Sequence, residues 1–210
     1  MLLIIGQTPP AHAGAVVIEV LGENGHPVPD VVVFIDQQGV AASTAVTETA
    51  VMDQIDTRFV PHMLVVRRGT SVEFPNSDVV AHHVYSFSKP NNFVLPLYKG
   101  NAHDPIVFSH DGVVTLGCNI HDQMLGYIIV VDTAVFGTTD ASGQVELEVD
   151  DAAAGYTVNI WNPRIRDEAA ALTQDLAVPV HRSTVVSFKL HKKLRAPHHS
   201  ETDGVQWTEY

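Results

Sequence analysis

The single cysteine of the chain stands close to two other residues that can bind a metal ion. Cys118, His121 and Met124 follow one another at intervals of three residues in the segment GCNIHDQMLGY, and they supply a thiolate, an imidazole and a thioether. Sulfur and histidine ligands suit copper, because Cu(I) prefers sulfur and a trigonal copper site can combine two histidines, one thiolate and a weak axial methionine. The alternative is a buried structural cysteine with an incidental histidine and methionine nearby. A second histidine ligand would decide between the two.

Two adjacent histidines upstream, His82 and His83, offer that ligand. Both lie in the segment Val79 to Ser86, which is predicted to be a β-strand. Side chains alternate between the two faces of a strand, so His82 shares its face with Val80 and Val84, whereas His83 points the opposite way. An apolar face should point into the core, which favours His82. A β-bulge near this position would reverse the alternation and favour His83.

The strands that must position these ligands are predicted by apolar runs between residues 59 and 131. Gly, Pro, Asn or Asp interrupts the sequence in nearly every gap, a pattern typical of a β-sandwich. Along Val113 to Cys118, alternation places every second residue, ending with Cys118, on one face. We therefore expect Cys118 to end a core-facing strand, with His121 and Met124 in the loop that follows.

Two motifs of this central block resemble those of the cupredoxins, specifically the plastocyanin and amicyanin group. The first is N-x-D-x3-H-x-V, which contains Asn76, Asp78 and His82, and the second is C-x2-H-x2-M, which begins at Cys118. The resemblance covers about residues 52 to 132. It implies an all-β fold in which residues 51–133 form a Greek-key β-sandwich of the cupredoxin type.

The resemblance also implies one type 1 (blue) copper ion that transfers single electrons by cycling between Cu(I) and Cu(II). The first histidine ligand of the family falls six positions after the Asn of the motif, which again selects His82. The implied ligands are three equatorial residues and one weak axial methionine: His82, Cys118, His121 and Met124. Many relatives carry Asn directly after the first ligand, and His83 stands there in this chain. The hydrogen bonds that support the site are therefore not predicted by the resemblance.

The segments on either side of the central block predict a second, smaller β-sandwich. Residues 15–20 and 30–36 are short and β-branched, and the turn formers between them predict a hairpin, followed by a connector up to residue 50. Residues 144–149, 156–161 and 184–190 predict further strands, and residues 166–172 predict a short helix. The last residues, 191–210, lack apolar periodicity and are expected to form a disordered tail that carries His198 and His199.

The hairpin resembles the first two strands of the transthyretin-like or carboxypeptidase-regulatory-like β-sandwich, and residues 139–147 and 156–161 resemble later strands of that fold. The resemblance implies that residues 14–50 and 134–190 form one split sandwich into which the central block is inserted. Insertion at exposed loops is well tolerated. A single enlarged sandwich and an independent C-terminal domain are the alternatives.

The net charge restricts the possible partners, and the N-terminal sequence predicts export. The formal net charge of −12 excludes a broad basic surface, so nucleic acid is not an expected partner. After the N-terminal segment, no run approaches the roughly 20 apolar residues that a membrane span requires. Residues 1–13 read as a partial signal peptide, because a short apolar run precedes Ala11-His12-Ala13, a small-residue cleavage pattern. We expect a periplasmic or otherwise exported protein.

The favoured function is therefore an electron carrier that docks on a redox partner protein, not yet identified, through the apolar surface around His121. The strands from residue 144 onward assemble no nucleophile with a base and no carboxylate pair, and the function is expected in the central block, so an enzyme is not expected. The main alternative is a periplasmic copper-binding module for delivery or storage. A third interpretation is a subunit or sensor with a structural metal.

Overall fold

A computed structural model of the protein describes residues 13–38, 46, 48–150, 155–176 and 184–197. The signal peptide was predicted for residues 1–13, of which residues 1–12 lie outside this part of the chain, as does the tail beyond residue 197. The described residues form two compact units, one from residues 13–38 and 135–194 and the other mainly from residues 46–134. Apart from one short 3-10 helix, the regular elements described are all strands, which confirms the expected all-β fold.

In chain order the strands are β1 (Ala13–Leu21), β2 (Val32–Gln37), β3 (Thr49–Val51), β4 (Asp53–Ile55), β5 (Arg58–Val60), β6 (Met63–Arg67), β7 (Ser71–Glu73), β8 (His82–Ser86), β9 (Phe93–Tyr98), β10 (Ile106–Val107), β11 (Gly112–Gly117), β12 (Leu125–Val131), β13 (Phe136–Thr138), β14 (Gln144–Asp150), β15 (Tyr156–Trp161), β16 (Thr173–Leu176) and β17 (Thr184–Lys189). The 3-10 helix, Ala169–Leu172, precedes β16 and is shorter than the predicted helix. Among the described residues, no helix has the length and hydrophobicity needed to cross a bilayer.

The first unit contains two sheets, with strand orders β14-β1-β17 and β13-β2-β15-β16. Alternate residues of their strands are buried, and both sheets contribute to one apolar core. Each sheet combines a strand from before the central block with strands from after it. Since β1 is the middle strand of its sheet and β2 lies between β13 and β15, neither sheet is complete without the N-terminal segment.

The predicted hairpin of the first two strands is wrong, because β1 and β2 lie in different sheets. After β1 the chain turns back only briefly, and Val28 N donates to Val20 O at 2.9 Å. Pro27 and Pro29 on either side of Val28 have no N–H to extend this pairing. The chain then enters the second sheet, where β2 pairs with β13 and β15.

Two predicted segment boundaries also need correction. The connector does not reach residue 50, because Thr49–Val51 forms β3 and pairs with β7 in the second unit. The tail does not begin at His191, because the backbone N–H groups of His191 and Lys192 donate to the Asp167 carboxylate at 2.6 and 2.9 Å. Leu194 also packs against the core of the first unit.

A fragment of residues 135–194 is expected not to fold by itself. It lacks β1 and β2, and the apolar faces of its remaining strands would lose their sheet neighbours and much of their core. Far-UV circular dichroism and amide proton dispersion should show an unfolded chain, and addition of a peptide of residues 13–38 should restore β-structure. A well-dispersed spectrum of the fragment alone would show that β1 and β2 are dispensable.

The second unit contains a five-stranded sheet, β6-β12-β11-β8-β9, a three-stranded sheet, β10-β7-β3, and the hairpin β4-β5. The two sheets share an apolar core to which Val72, Val114 and Ile128 contribute. The first apolar run of the central block, residues 59–66, forms two strands, β5 and β6, separated at Pro61. The turn of the β4-β5 hairpin places Asp56 and Thr57 at φ of 50° and 60°, the left-handed region that hairpin turns require and that a β-branched residue rarely adopts.

The pairing of β8 with β9 contains a β-bulge, the feature that could have reversed the choice between His82 and His83. His82 pairs with Tyr98 and Val84 pairs with Leu95, so the extra residue lies in β9 and not in β8. Pro96 falls in this interval and cannot donate a ladder hydrogen bond, which suits a bulge. Because β8 itself is regular, His82 and Val84 keep the same buried face.

Candidate metal centre

Three side chains of the second unit bring their metal-binding atoms together. His82 Nδ1 lies 3.1 Å from His121 Nδ1, and Cys118 Sγ lies 3.9 Å from His82 Nδ1 and 3.7 Å from His121 Nδ1. His82 is 0% exposed and Cys118 is 4% exposed, whereas His121 is half-buried. The cluster is therefore shielded from water on the side of His82 and approaches the surface at His121.

These separations fit a shared metal ion. Metal–nitrogen bonds of about 2.0 Å and metal–sulfur bonds of about 2.3 Å, as found for zinc, place neighbouring ligand atoms roughly 3 to 4 Å apart. Two imidazole lone pairs at 3.1 Å repel one another unless a proton or a cation lies between them. One thiolate and two imidazoles in this arrangement are a donor set that suits copper.

Regular alternation along β11 positions Cys118. Val114 and Leu116 are buried, Val113 and Thr115 are exposed, and Cys118 continues the buried series one residue after the strand ends. Antiparallel pairing with β12 holds β11 along its whole length. The structure therefore confirms the prediction that Cys118 follows the end of a strand with its thiol facing the core.

The loop after Cys118 returns the chain to the core. Met124 N donates to His121 O at 2.9 Å, which closes a turn between these two residues. Met124 is buried in the same apolar cluster as Cys118. The loop therefore holds His121 beside the thiol, while Met124 is buried in the core.

Between the two adjacent histidines, the structure places His82 beside Cys118. His83 lies on the other face of β8 and is partly buried there. Alternation alone would have put His82 on a face with Val80, but Val80 precedes the strand and is exposed. The apolar neighbour that shares the buried face is Val84.

Asp78 of the first motif contacts His82, a contact that was not predicted from the sequence. Its Oδ2 atom lies 2.9 Å from His82 Nε2 and accepts a hydrogen bond from Thr57 N at 2.7 Å, while Oδ1 accepts one from Val79 N at 2.6 Å. The hydrogen bond with His82, followed by that from Thr57, lowers the pKa of Asp78 to about 2. The sequence feature that could have indicated this contact is the i, i+4 spacing of Asp78 and His82 where a loop enters a strand.

Asn76 holds the loop that carries Asp78. Its Nδ2 group donates to Val80 O at 3.0 Å and to Tyr98 O at 2.8 Å, and its Oδ1 atom accepts from Asp78 N at 3.0 Å. The Asn of the first motif therefore ties this loop to β9. Buried Gln54 extends the network, because its Nε2 group donates to Pro75 O and to the Tyr98 hydroxyl.

The Tyr98 hydroxyl completes this network by donating to Phe74 O at 2.6 Å. Burial is the main reason that the pKa of Tyr98 rises to about 12. The hydroxyl therefore stays protonated at neutral pH and keeps its hydrogen bond to the backbone. The segment between β7 and β8 is held at both ends by buried side chains.

Comparison with known proteins finds solved structures similar to the chain. A purple cupredoxin from Nitrosopumilus maritimus is 21% identical over 40% of this chain and 100% of its own, with a TM-score of 0.35. Amicyanin from Paracoccus versutus is 21% identical over 46% of this chain and 97% of its own, with a TM-score of 0.35. A copper-containing nitrite reductase from Thermus scotoductus is 24% identical over 54% of this chain and 28% of its own, with a TM-score of 0.38.

No family model matches the chain, and no curated protein sequence matches it. The similar structures named above include cupredoxins, the class that the two motifs of the central block resemble.

Proposed function

We propose that this chain is an exported type 1 (blue) copper protein that carries single electrons between redox partners. One copper ion would be held by His82, Cys118 and His121, with Met124 as a further, weaker ligand. The convergence of two imidazole nitrogens and one thiolate sulfur within 3.1 to 3.9 Å of one another is the observation that carries this proposal. Copper bound there supplies a one-electron couple between Cu(I) and Cu(II).

The residues of the chain contribute a rigid and largely dry site. Cys118 is fixed by the end of β11, and His82 is fixed by β8 and by Asp78. Ligands held in place by a sandwich would need little rearrangement if a bound copper ion changed its oxidation state. These features support a carrier, in which fast transfer requires a small reorganisation.

The exposed side of the site supports docking of a redox partner protein. His121 is half-buried, and its neighbour Ile120 is 51% exposed. We propose that a partner contacts the chain through apolar residues of this kind around His121, which would be the exit for the electron.

Export is proposed from the sequence pattern around Ala11-His12-Ala13 and from the lone thiol, which a metal ion would protect. A role without catalysis is proposed from the sequence, in which the strands from residue 144 onward assemble no nucleophile with a base and no carboxylate pair. Delivery or storage of copper would use the same ligands, so only an experiment separates these functions from electron transfer.

A redox titration of the copper-loaded full-length chain tests the proposal. We expect a reversible one-electron couple and fast self-exchange, measured by NMR line broadening in mixtures of the Cu(I) and Cu(II) forms. We also expect Cu(I) to stay bound when an acceptor chelator is added. Slow self-exchange together with rapid loss of Cu(I) to the acceptor would instead identify a delivery or storage module.

A further inference from the structure

We propose that Asp78 is a positioning residue that fixes the ring of His82 and lowers the reduction potential of copper at this site. This inference rests on the proposed copper site. It concerns a carboxylate that does not itself reach the group of donor atoms but contacts the far side of a histidine ligand.

The geometry of the contact fixes which nitrogen of His82 faces the site. A carboxylate can only accept a hydrogen bond, so the 2.9 Å contact requires the proton to be on His82 Nε2. In the neutral ring, the lone pair is then on Nδ1, the atom that lies 3.1 Å from His121 Nδ1 and 3.9 Å from Cys118 Sγ. Asp78 thereby selects the tautomer whose lone pair faces His121 and Cys118.

The carboxylate is itself held in a fixed place. The side chain of Asp78 is 6% exposed and accepts hydrogen bonds from two backbone N–H groups besides its contact with His82. One of these N–H groups belongs to Thr57, in the left-handed turn of the β4-β5 hairpin. A disfavoured backbone conformation thus presents a donor to Asp78, and strained residues of this kind cluster at functional sites.

The negative charge should stabilise the oxidised ion. A carboxylate that accepts the second N–H of a ligand histidine raises the basicity of that ligand, and loss of such a partner typically weakens metal binding about 10- to 100-fold. The effect is larger for Cu(II) than for Cu(I), because a nearby negative charge attracts the more positive ion more strongly. A tenfold loss confined to Cu(II) corresponds to a rise of about 59 mV in a one-electron potential.

The test compares Asp78→Asn with Asp53→Asn in the copper-loaded full-length chain. Asp53 is a matched control, because its carboxylate accepts hydrogen bonds from Gln54 N and from Ser77 in the same loop and the substitution removes the same charge. We expect Asp78→Asn to raise the reduction potential and weaken Cu(II) binding by about tenfold or more, and Asp53→Asn to change both much less. Equal shifts in the two variants would overturn the inference.

A second measurement needs neither copper nor a variant. In the metal-free wild-type chain, at a pH at which His82 is neutral, nitrogen-15 chemical shifts should show the proton on Nε2 of His82. A proton mainly on Nδ1 would overturn the inference even if Asp78→Asn failed to fold. If wild-type copper shows no thiolate charge-transfer band, the proposed function fails, and the nitrogen-15 result still decides whether Asp78 sets the tautomer.

Discussion

Replacement of Cys118 by serine is expected to abolish the intense visible absorption band that the copper-loaded chain should show. The band would arise from charge transfer between thiolate sulfur and Cu(II), and Cys118 is the single cysteine of the sequence. No other residue of the sequence can therefore supply a thiolate. Serine has nearly the same shape, but it has no sulfur and its hydroxyl remains protonated at neutral pH, so it cannot replace the thiolate from which the band would arise. Absorption and paramagnetic-resonance spectra of Cu(II)-loaded wild type and variant measure the loss.

A suitable control introduces a hydroxyl on the same face without removing a ligand. Val114→Thr does so, since Val114 is buried on the same side of β11 as Cys118. It is expected to lower the stability, because a buried hydroxyl without a partner costs about 1–3 kcal/mol, and to keep the band. A colourless wild type, or a Cys118→Ser variant with an unchanged band, would contradict thiolate coordination.

Replacement of His82 by glycine is expected to remove the coloured site, and added imidazole should restore it. His82 is fully buried beside Cys118, so its removal leaves a ring-sized space next to the remaining ligands. Free imidazole can occupy that space and offer the same nitrogen donor. Titration with imidazole, followed by the visible band, gives the affinity of the created space.

The neighbouring residue provides the matched control. His83→Gly carries the same cost of glycine within a strand, about 0.5–1 kcal/mol, so the two variants differ mainly in which face of β8 loses its imidazole. We expect His83→Gly to keep a coloured site. If His83→Gly instead loses the colour and His82→Gly keeps it, the first ligand is His83 and the orientation of β8 at the site is wrong.

The sequence by itself determined those features that depend only on residues close together in the chain. Alternation along β11 predicted the inward thiol of Cys118, because the two-residue period of a strand acts within a few residues. The three-residue spacing that follows kept His121 and Met124 in one short loop. His82 could also be chosen over His83, since β8 proved regular and the bulge lies in β9.

The tertiary structure alone decided which distant segments meet at the site. The β4-β5 hairpin was missed, because Asp56 and Thr57 adopt a left-handed turn without the glycine or asparagine that usually predicts one. Without that hairpin, the N–H of Thr57 and its contact with Asp78 could not be inferred. The role of Asp78 beside His82 depends on the loop that Asn76 ties to β9, which is a contact across 22 residues.

The flanking strands show the same limit on a larger scale. The sequence predicted strands at β1 and β2 but paired them with each other, the nearest choice along the chain. In the structure β1 pairs with β14 and β17, and β2 pairs with β13 and β15, so every partner lies beyond the central block. Local residue patterns specify that a segment is a strand and which face is apolar, whereas the partner is selected by burial of those faces in a shared core.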